Sequence, residues 1–244
     1  QSLVLKFTDL VDENKVAAKK TLYTNSGNSY LIYDKMKMYV HGSNNLDSIN
    51  VNFFFRFGLG EDYYEIIQPV YKKWDDRNSI DLDLNWLTKL KDISIKNVKD
   101  VEYISESDLF EIQEDSDGKE IREYTFGGSD NTGKKIILHG LPSLSRIQYF
   151  TVGINNVSGS TISGEVWLDE LRLSGVKKDK GVAMRVQSKF NLGDLANATV
   201  SFSRKDADFH VLQQRLGSNS TSQDLRLNGT LQLHKFLPKF IALN

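Results

Sequence analysis

The sequence predicts an all-β protein: a jelly-roll-like β-sandwich with one short helix, followed by antiparallel strands of an outer-membrane β-barrel. Three observations carry that expectation. Apolar residues recur at every second position through most of the chain, the period of a strand with one covered face. One stretch near residue 84 shows a helical period instead. Charge divides the chain near Gly175: residues 1–175 carry 20 basic and 27 acidic groups and all of the glutamates, whereas residues 176–244 carry 11 and 5. The charged run Lys177, Lys178, Asp179, Lys180 separates two β-like patterns, so a sandwich domain is assigned to 1–175 and barrel-wall strands with one long loop to 176–244.

In chain order, Leu3, Leu5 and Phe7 alternate with polar residues, and Met36, Met38 and Val40 do the same before His41. Further strands are expected at Val51 to Phe57, Tyr63 to Val70, Arg122 to Phe126, Lys134 to Leu138, Ile147 to Ile154 and Gly164 to Leu173, all rich in β-branched or aromatic residues. The helix is expected to start near Ser79 or Asp81, with Leu84, Leu87, Leu90 and Ile93 on one stripe. Many short antiparallel strands with one helix imply two sheets, because only a second sheet covers the apolar face of the first.

Beyond Gly175, Val182, Met184, Val186, Phe190 and Leu192 occupy one face, and Ala183, Arg185, Gln187, Lys189 and Asn191 the other. A short turn at Gly193 and Asp194 leads to Ala198, Val200 and Phe202 alternating with Thr199, Ser201 and Ser203. After a longer polar loop, Leu225, Leu227, Leu231 and Leu233 alternate with Arg226, Asn228, Thr230, Gln232 and His234. Short turn, long loop and two-faced strands of about ten residues form the pattern of an outer-membrane barrel wall. An ordinary half-exposed sheet packed on the first domain has the same pattern, and three strands cannot close a barrel when about eight is the minimum.

Composition narrows the chemistry. With 31 basic against 32 acidic residues, broad attraction to nucleic acid is not expected. No cysteine is present, which excludes disulfides and thiolate sites, and His41, His139, His210 and His234 show no metal-ligand spacing. No apolar run approaches the roughly 18 residues of a membrane helix. Gln1 opens directly on alternation, without an initiator Met or a leader, so the text reads as cut from something longer.

Four segments invite a site. The run Trp167-Leu168-Asp169-Glu170-Leu171-Arg172 resembles the closing strand of carbohydrate-binding jelly rolls, where a carboxylate helps hold calcium; alternation alone also explains it. Phe53, Phe54, Phe55, Phe57, Tyr63, Tyr64 and Trp74 could line a sugar-stacking groove or form core. Glu111, Glu114, Asp115, Asp117, Glu120 and Glu123 lack EF-hand spacing and read as a solvated hairpin between Phe110 and Tyr124. Gly127 to Gly133 is Gly-rich but opens no helix, so it reads as a turn.

In order along the chain come Ser2-Leu3-Val4-Leu5-Lys6-Phe7, Lys37-Met38-Tyr39-Val40-His41, Phe55-Arg56-Phe57-Gly58, Asp62-Tyr63-Tyr64-Glu65 and Val166 to Leu173, then Leu192-Gly193-Asp194-Leu195-Ala196-Asn197 and Lys235-Phe236-Leu237-Pro238. Taken in that order, these stretches resemble the SprA/Sov family of gliding-motility and secretion proteins, the giant outer-membrane translocon of type IX secretion. Lys72-Lys73-Trp74-Asp75-Asp76 departs from the family, where a segment ending in Trp-Pro is expected, and 206–216 is only loosely similar. The resemblance implies a very large barrel that passes folded cargo across the outer membrane, with a partner barrel that collects cargo and a periplasmic plug.

The expectation is therefore a structural, non-enzymatic segment with no catalytic residue, cofactor or metal. Its partners are the remainder of its own barrel, the partner barrel, the plug, secreted cargo and lipid. Arg185, Gln187, Lys189, Arg226, Asn228 and Gln232 are expected to face the lumen, and Val182, Val186, Phe190, Leu225, Leu227 and Leu231 to face lipid. The competing expectation is a secreted carbohydrate-binding β-sandwich module. A polysaccharide-cleaving enzyme finds no carboxylate pair to support it.

Overall fold

A computed structural model describes residues 2–22, 27–44, 46, 51–91, 93, 108–127, 133–176, 181–209, 211 and 220–236. The chain forms two compact units, Gln1–Lys177 and Lys178–Asn244.

In the first unit, β1 (Leu3–Leu10), β2 (Lys15–Thr21), β3 (Tyr33–Gly42), β4 (Val51–Leu59), β5 (Asp62–Pro69) and β6 (Ile80–Asp83) precede α1 (Leu84–Leu90). Then come β7 (Leu109–Glu114), β8 (Glu120–Thr125), β9 (Lys135–His139), β10 (Tyr149–Asn156) and β11 (Ile162–Val176). They make a four-stranded sheet, β1-β11-β3-β6, and a seven-stranded sheet, β2-β10-β4-β5-β9-β8-β7. Every pair is antiparallel, and the chain crosses repeatedly between the sheets, as a jelly-roll-like sandwich requires.

Alternation fixes the core. Phe53, Phe55 and Phe57 of β4 point inward with Tyr64 and Ile66 of β5 and Ile136 and Leu138 of β9. They meet Met36, Met38 and Val40 of β3 and Val166 and Leu168 of β11. Each such side chain contributes about 1.5–3 kcal/mol by leaving water. Four strands cannot cover seven, and α1 supplies part of the missing cover: Leu84, Leu87, Leu90 and Ile93 join the core, and Trp86 meets Tyr124 edge-on at 4.8 Å. The buried Tyr64 hydroxyl donates to the Pro142 carbonyl at 3.1 Å, and burial raises its pKa.

The helix starts later than the sequence suggests. Residues 80–83 pair with β3, Leu82 opposite Met36, so Ile80 and Leu82 keep period two up to Asp83. There the period changes, and the Asp83 carboxylate caps the helix by accepting from the Trp86 N–H at 2.9 Å. The sequence also gave no sign of β2, whose Lys-Val-Ala-Ala-Lys-Lys-Thr text is exposed along its whole length.

The second unit is a three-stranded antiparallel sheet, β12 (Ala183–Leu192), β13 (Ala196–Lys205) and β14 (Ser222–Leu231). Leu233, expected on the last strand, instead opens a 3₁₀ turn, Leu233–Phe236. The expected match at Leu237-Pro238 lies outside the described residues, as does most of 206–216.

Candidate functional site

The second unit presents its chemistry as two faces. Register places Val186 beside Phe202 and Leu225, Ser188 beside Val200 and Leu227, and Leu192 beside Ala196 and Leu231. These rows make one apolar face, with Phe190 beside Ala198 between them. The opposite face carries Arg185, Gln187 and Lys189, then Thr199, Ser201 and Ser203, then Arg226 and Asn228. Val182 and Gln232 lie just outside the strands. The turn between β12 and β13 takes three residues, closed by the Leu195 N–H donating to the Leu192 carbonyl, with Gly193 at φ +57° where a side chain would be strained.

The apolar face is exposed: Phe190 56%, Leu225 and Leu227 72% each. No described residue from 181 to 236 is buried. Ten residues per strand span about 33 Å, enough to cross a hydrocarbon layer at the tilt of a barrel strand. Among the described residues, no helix is long and apolar enough to cross a membrane.

In the sandwich, the structure rearranges the expected sites. The aromatic set does not line a groove. Phe53, Phe55, Phe57 and Tyr64 are core, because β4 and β5 turn those positions inward. Phe54 is covered on the opposite face, Tyr63 stacks on the His139 ring at 4.8 Å, and Trp74 alone stands half-exposed. Arg56 lies 3.9 Å over the Tyr63 ring and pairs with the buried Glu65 at 2.5 Å.

The acidic stretch is the β7–β8 hairpin, with Phe110 opposite Tyr124. Two of its acids form ion pairs: Glu120 with Arg122 at 2.9 Å and Glu123 with Lys135 at 2.5 Å. The Asp115 carboxylate accepts from the Lys119 and Asp117 N–H groups, and the Lys119 bond is the main cause that lowers its pKa. Asp115 also lies 2.8 Å from His139 Nε2, while His139 Nδ1 lies 2.6 Å from the Glu61 carbonyl. Both ring nitrogens face acceptors, so only the doubly protonated imidazole donates to both. Nothing in the sequence spacing links these three residues; the β5–β9 and β8–β9 registers bring them together.

In the Trp167–Arg172 run, β11 bulges between Asp169 and Arg172, and Glu170 sits at φ +50°. Glu170 pairs with Arg172 at 3.2 Å, and Asp169 accepts from the Glu170 N–H at 2.9 Å. Among the described residues, no group of three or more His, Cys, Asp or Glu is arranged to hold a metal ion. Trp167 stacks on His41, 5.1 Å between ring centres, on the outer face of the four-stranded sheet. Of the Gly-rich segment, 128–132 lies outside the described residues, as does His210.

A sandwich with its own buried core, joined in sequence to a three-stranded sheet with exposed apolar residues on one face, defines an all-β protein of two units. Residues 1–244 match the family model SprA_N, described as motility related/secretion protein. The chain belongs to that family of motility- and secretion-related proteins. No curated protein matches it.

Proposed function

We propose that the chain is a structural segment of the protein-conducting outer-membrane translocon of type IX secretion, which exports folded cargo proteins and supports gliding motility. The observation that carries this reading is the in-register apolar face of β12–β14, exposed on β12 and β14, half-buried on β13 and backed by a mostly polar face. A barrel wall needs that arrangement, with lipid on one side and a wet lumen on the other. In it, Val186, Phe190, Leu225, Leu227 and Leu231 meet lipid, and Arg185, Gln187, Lys189, Arg226 and Asn228 meet water or passing cargo. Conduction asks no residue to perform chemistry. Open sheet edges are not tolerated in hydrocarbon, so β12 and β14 pair with further strands of the same large barrel. A partner barrel that collects cargo and a periplasmic plug complete the assembly.

The test is an immunoblot of fractionated source cells with antibody against residues 1–175. A very large band in the outer-membrane fraction is expected. A soluble or secreted band near 27.8 kDa would overturn the proposal.

A further inference from the structure

The segment from Tyr71 to Ser79 holds an exposed aromatic ring with unusual care. Asn78 is fully buried, and its side chain accepts from the Tyr71 N–H at 2.7 Å and donates to the Tyr71 carbonyl at 2.7 Å and the Lys73 carbonyl at 3.2 Å. Gln68 donates to the Asn78 carbonyl at 2.6 Å, and Lys73 exchanges two backbone hydrogen bonds with Gly42. Lys73 itself sits at φ +65°, a left-handed conformation that costs a lysine free energy. What this scaffold delivers is Trp74, 49% exposed, packed against His41 at 5.0 Å. The line of packed rings continues through His41 to Trp167, tilted by 32°.

Beside Trp74 opens a pocket of about 310 Å³, walled by Trp74 and Tyr39 and bordered by Asp75, Asp76, Asp169 and Glu170. Its size is at the small end of the range for small-ligand clefts, about 300–1,000 Å³. Two of the four carboxylates are already engaged by arginines. Arg77 takes both oxygens of Asp75, at 2.9 and 2.8 Å, and holds that carboxyl at a pKa of about 2. Arg172 takes Glu170 at 3.2 Å and also donates to the Tyr39 hydroxyl. Asp76 and the second oxygen of Asp169 remain as acceptors with no hydrogen bond among the described residues.

We infer that this pocket binds a neutral pyranose of a glycan. Flat indole and phenol faces stack on the apolar face of a sugar ring, while fixed carboxylates accept from its hydroxyls. Two of the four carboxylates are already held by arginines, and the residual carboxylates accept from sugar hydroxyls and repel anionic saccharides and nucleic acid. The site lies wholly within the sandwich and stands independently of the barrel reading.

The test labels the 244-residue chain with 5-fluorotryptophan, giving resonances for Trp74, Trp86 and Trp167. Methyl glucoside, mannoside, galactoside and N-acetylglucosaminide are titrated to about 50 mM, which covers the millimolar range of a single-ring contact. At least one glycoside is expected to shift the Trp74 resonance saturably, leave that of Trp86 in place, and show saturation transfer to its ring protons. Trp74→Ala and Asp76→Asn, both at exposed positions and checked by melting, are each expected to weaken that transfer about tenfold or more. No response to any of the four glycosides, or equal transfer in both variants, overturns the inference. A trilysine peptide that shifts Trp74 at lower concentration than every glycoside also overturns it, in favour of a cationic partner.

Discussion

Replacing Asn78 with Ala tests how the Trp74 segment is held. Asn78 is fully buried, and its amide serves three backbone groups: the Tyr71 N–H, the Tyr71 carbonyl and the Lys73 carbonyl. The Lys73 carbonyl keeps the Gly42 N–H at 3.2 Å, so truncation strands two groups, both on Tyr71. A buried group left without a partner costs about 1–3 kcal/mol, which gives about 3 kcal/mol for the pair. For a unit of this size that lowers Tm by about 6–12 °C. Asp75→Ala, by contrast, removes a partly exposed pair with Arg77 and one N–H acceptor, and is expected to cost about 1 kcal/mol or less. The assay is thermal melting by circular dichroism with hydrogen exchange at the Tyr71 amide, which loses protection in the Asn78 variant. A loss below about 1 kcal/mol with Tyr71 still protected refutes the claim that this amide holds the segment.

Three further outcomes follow from the geometry. Within the assembled protein, Phe190→Lys or Leu227→Lys costs about 2–4 kcal/mol near the bilayer midplane and reduces the amount in the outer membrane, whereas Gln187→Lys costs little; equal losses at all three positions contradict the two-faced wall. Gly153→Ala places a Cβ 2.4 Å from the Phe54 ring and 2.5 Å from the Val16 carbonyl, so denaturant titration is expected to show about 1–3 kcal/mol lost, and no loss means β2 and β10 are less closely apposed than described. The Asp115 carboxyl has its pKa lowered by the Lys119 N–H, so its contribution to the β7–β8 turn is present above the ordinary value of 3.8 and disappears as pH falls through the lower folded value. The Lys119 amide chemical shift should therefore titrate below 3.8, and Asp115→Asn should abolish that titration; a midpoint at or above 3.8 contradicts the hydrogen-bonded turn.

Alternation made most of the sandwich legible because a buried strand face must repeat every second residue, and β3, β4, β5 and β11 do so with large side chains. Where cover is absent the signal vanishes: β2 is exposed along its length, so its text is under no such constraint. β6 was hidden for another reason. Its apolar residues Ile80 and Leu82 run into the Leu84, Leu87, Leu90 stripe, and a four-residue strand is too short to separate period two from 3.6. The candidate site was less legible than the fold. Tyr39, His41, Trp74 and Trp167 come from three distant segments, and only the β3–β11 register and the Gly42–Lys73 bridge place them on one face. The aromatic run was read as a possible groove because ring content does not reveal which face of β4 is inward; the Met36, Met38 and Val40 side of β3 decides that.

The two units distribute their apolar residues differently. Among the described residues, every residue of the buried core lies between Phe7 and Leu168, so the sandwich hides its apolar surface internally. In the second unit the apolar residues are aligned by register on one face, exposed on β12 and β14 and half-buried on β13, and most charged and amide side chains lie on the other, Arg204 and Gln223 excepted. A three-stranded sheet that leaves that face in water gains almost nothing from burial to offset the entropy of ordering its chain. In a barrel wall the same face gains its apolar surroundings from lipid, and β12 and β14 gain hydrogen-bonded neighbours from adjoining strands. On the proposed barrel reading, the second unit therefore gains its stability from what surrounds it, whereas the first buries its core within its own sequence.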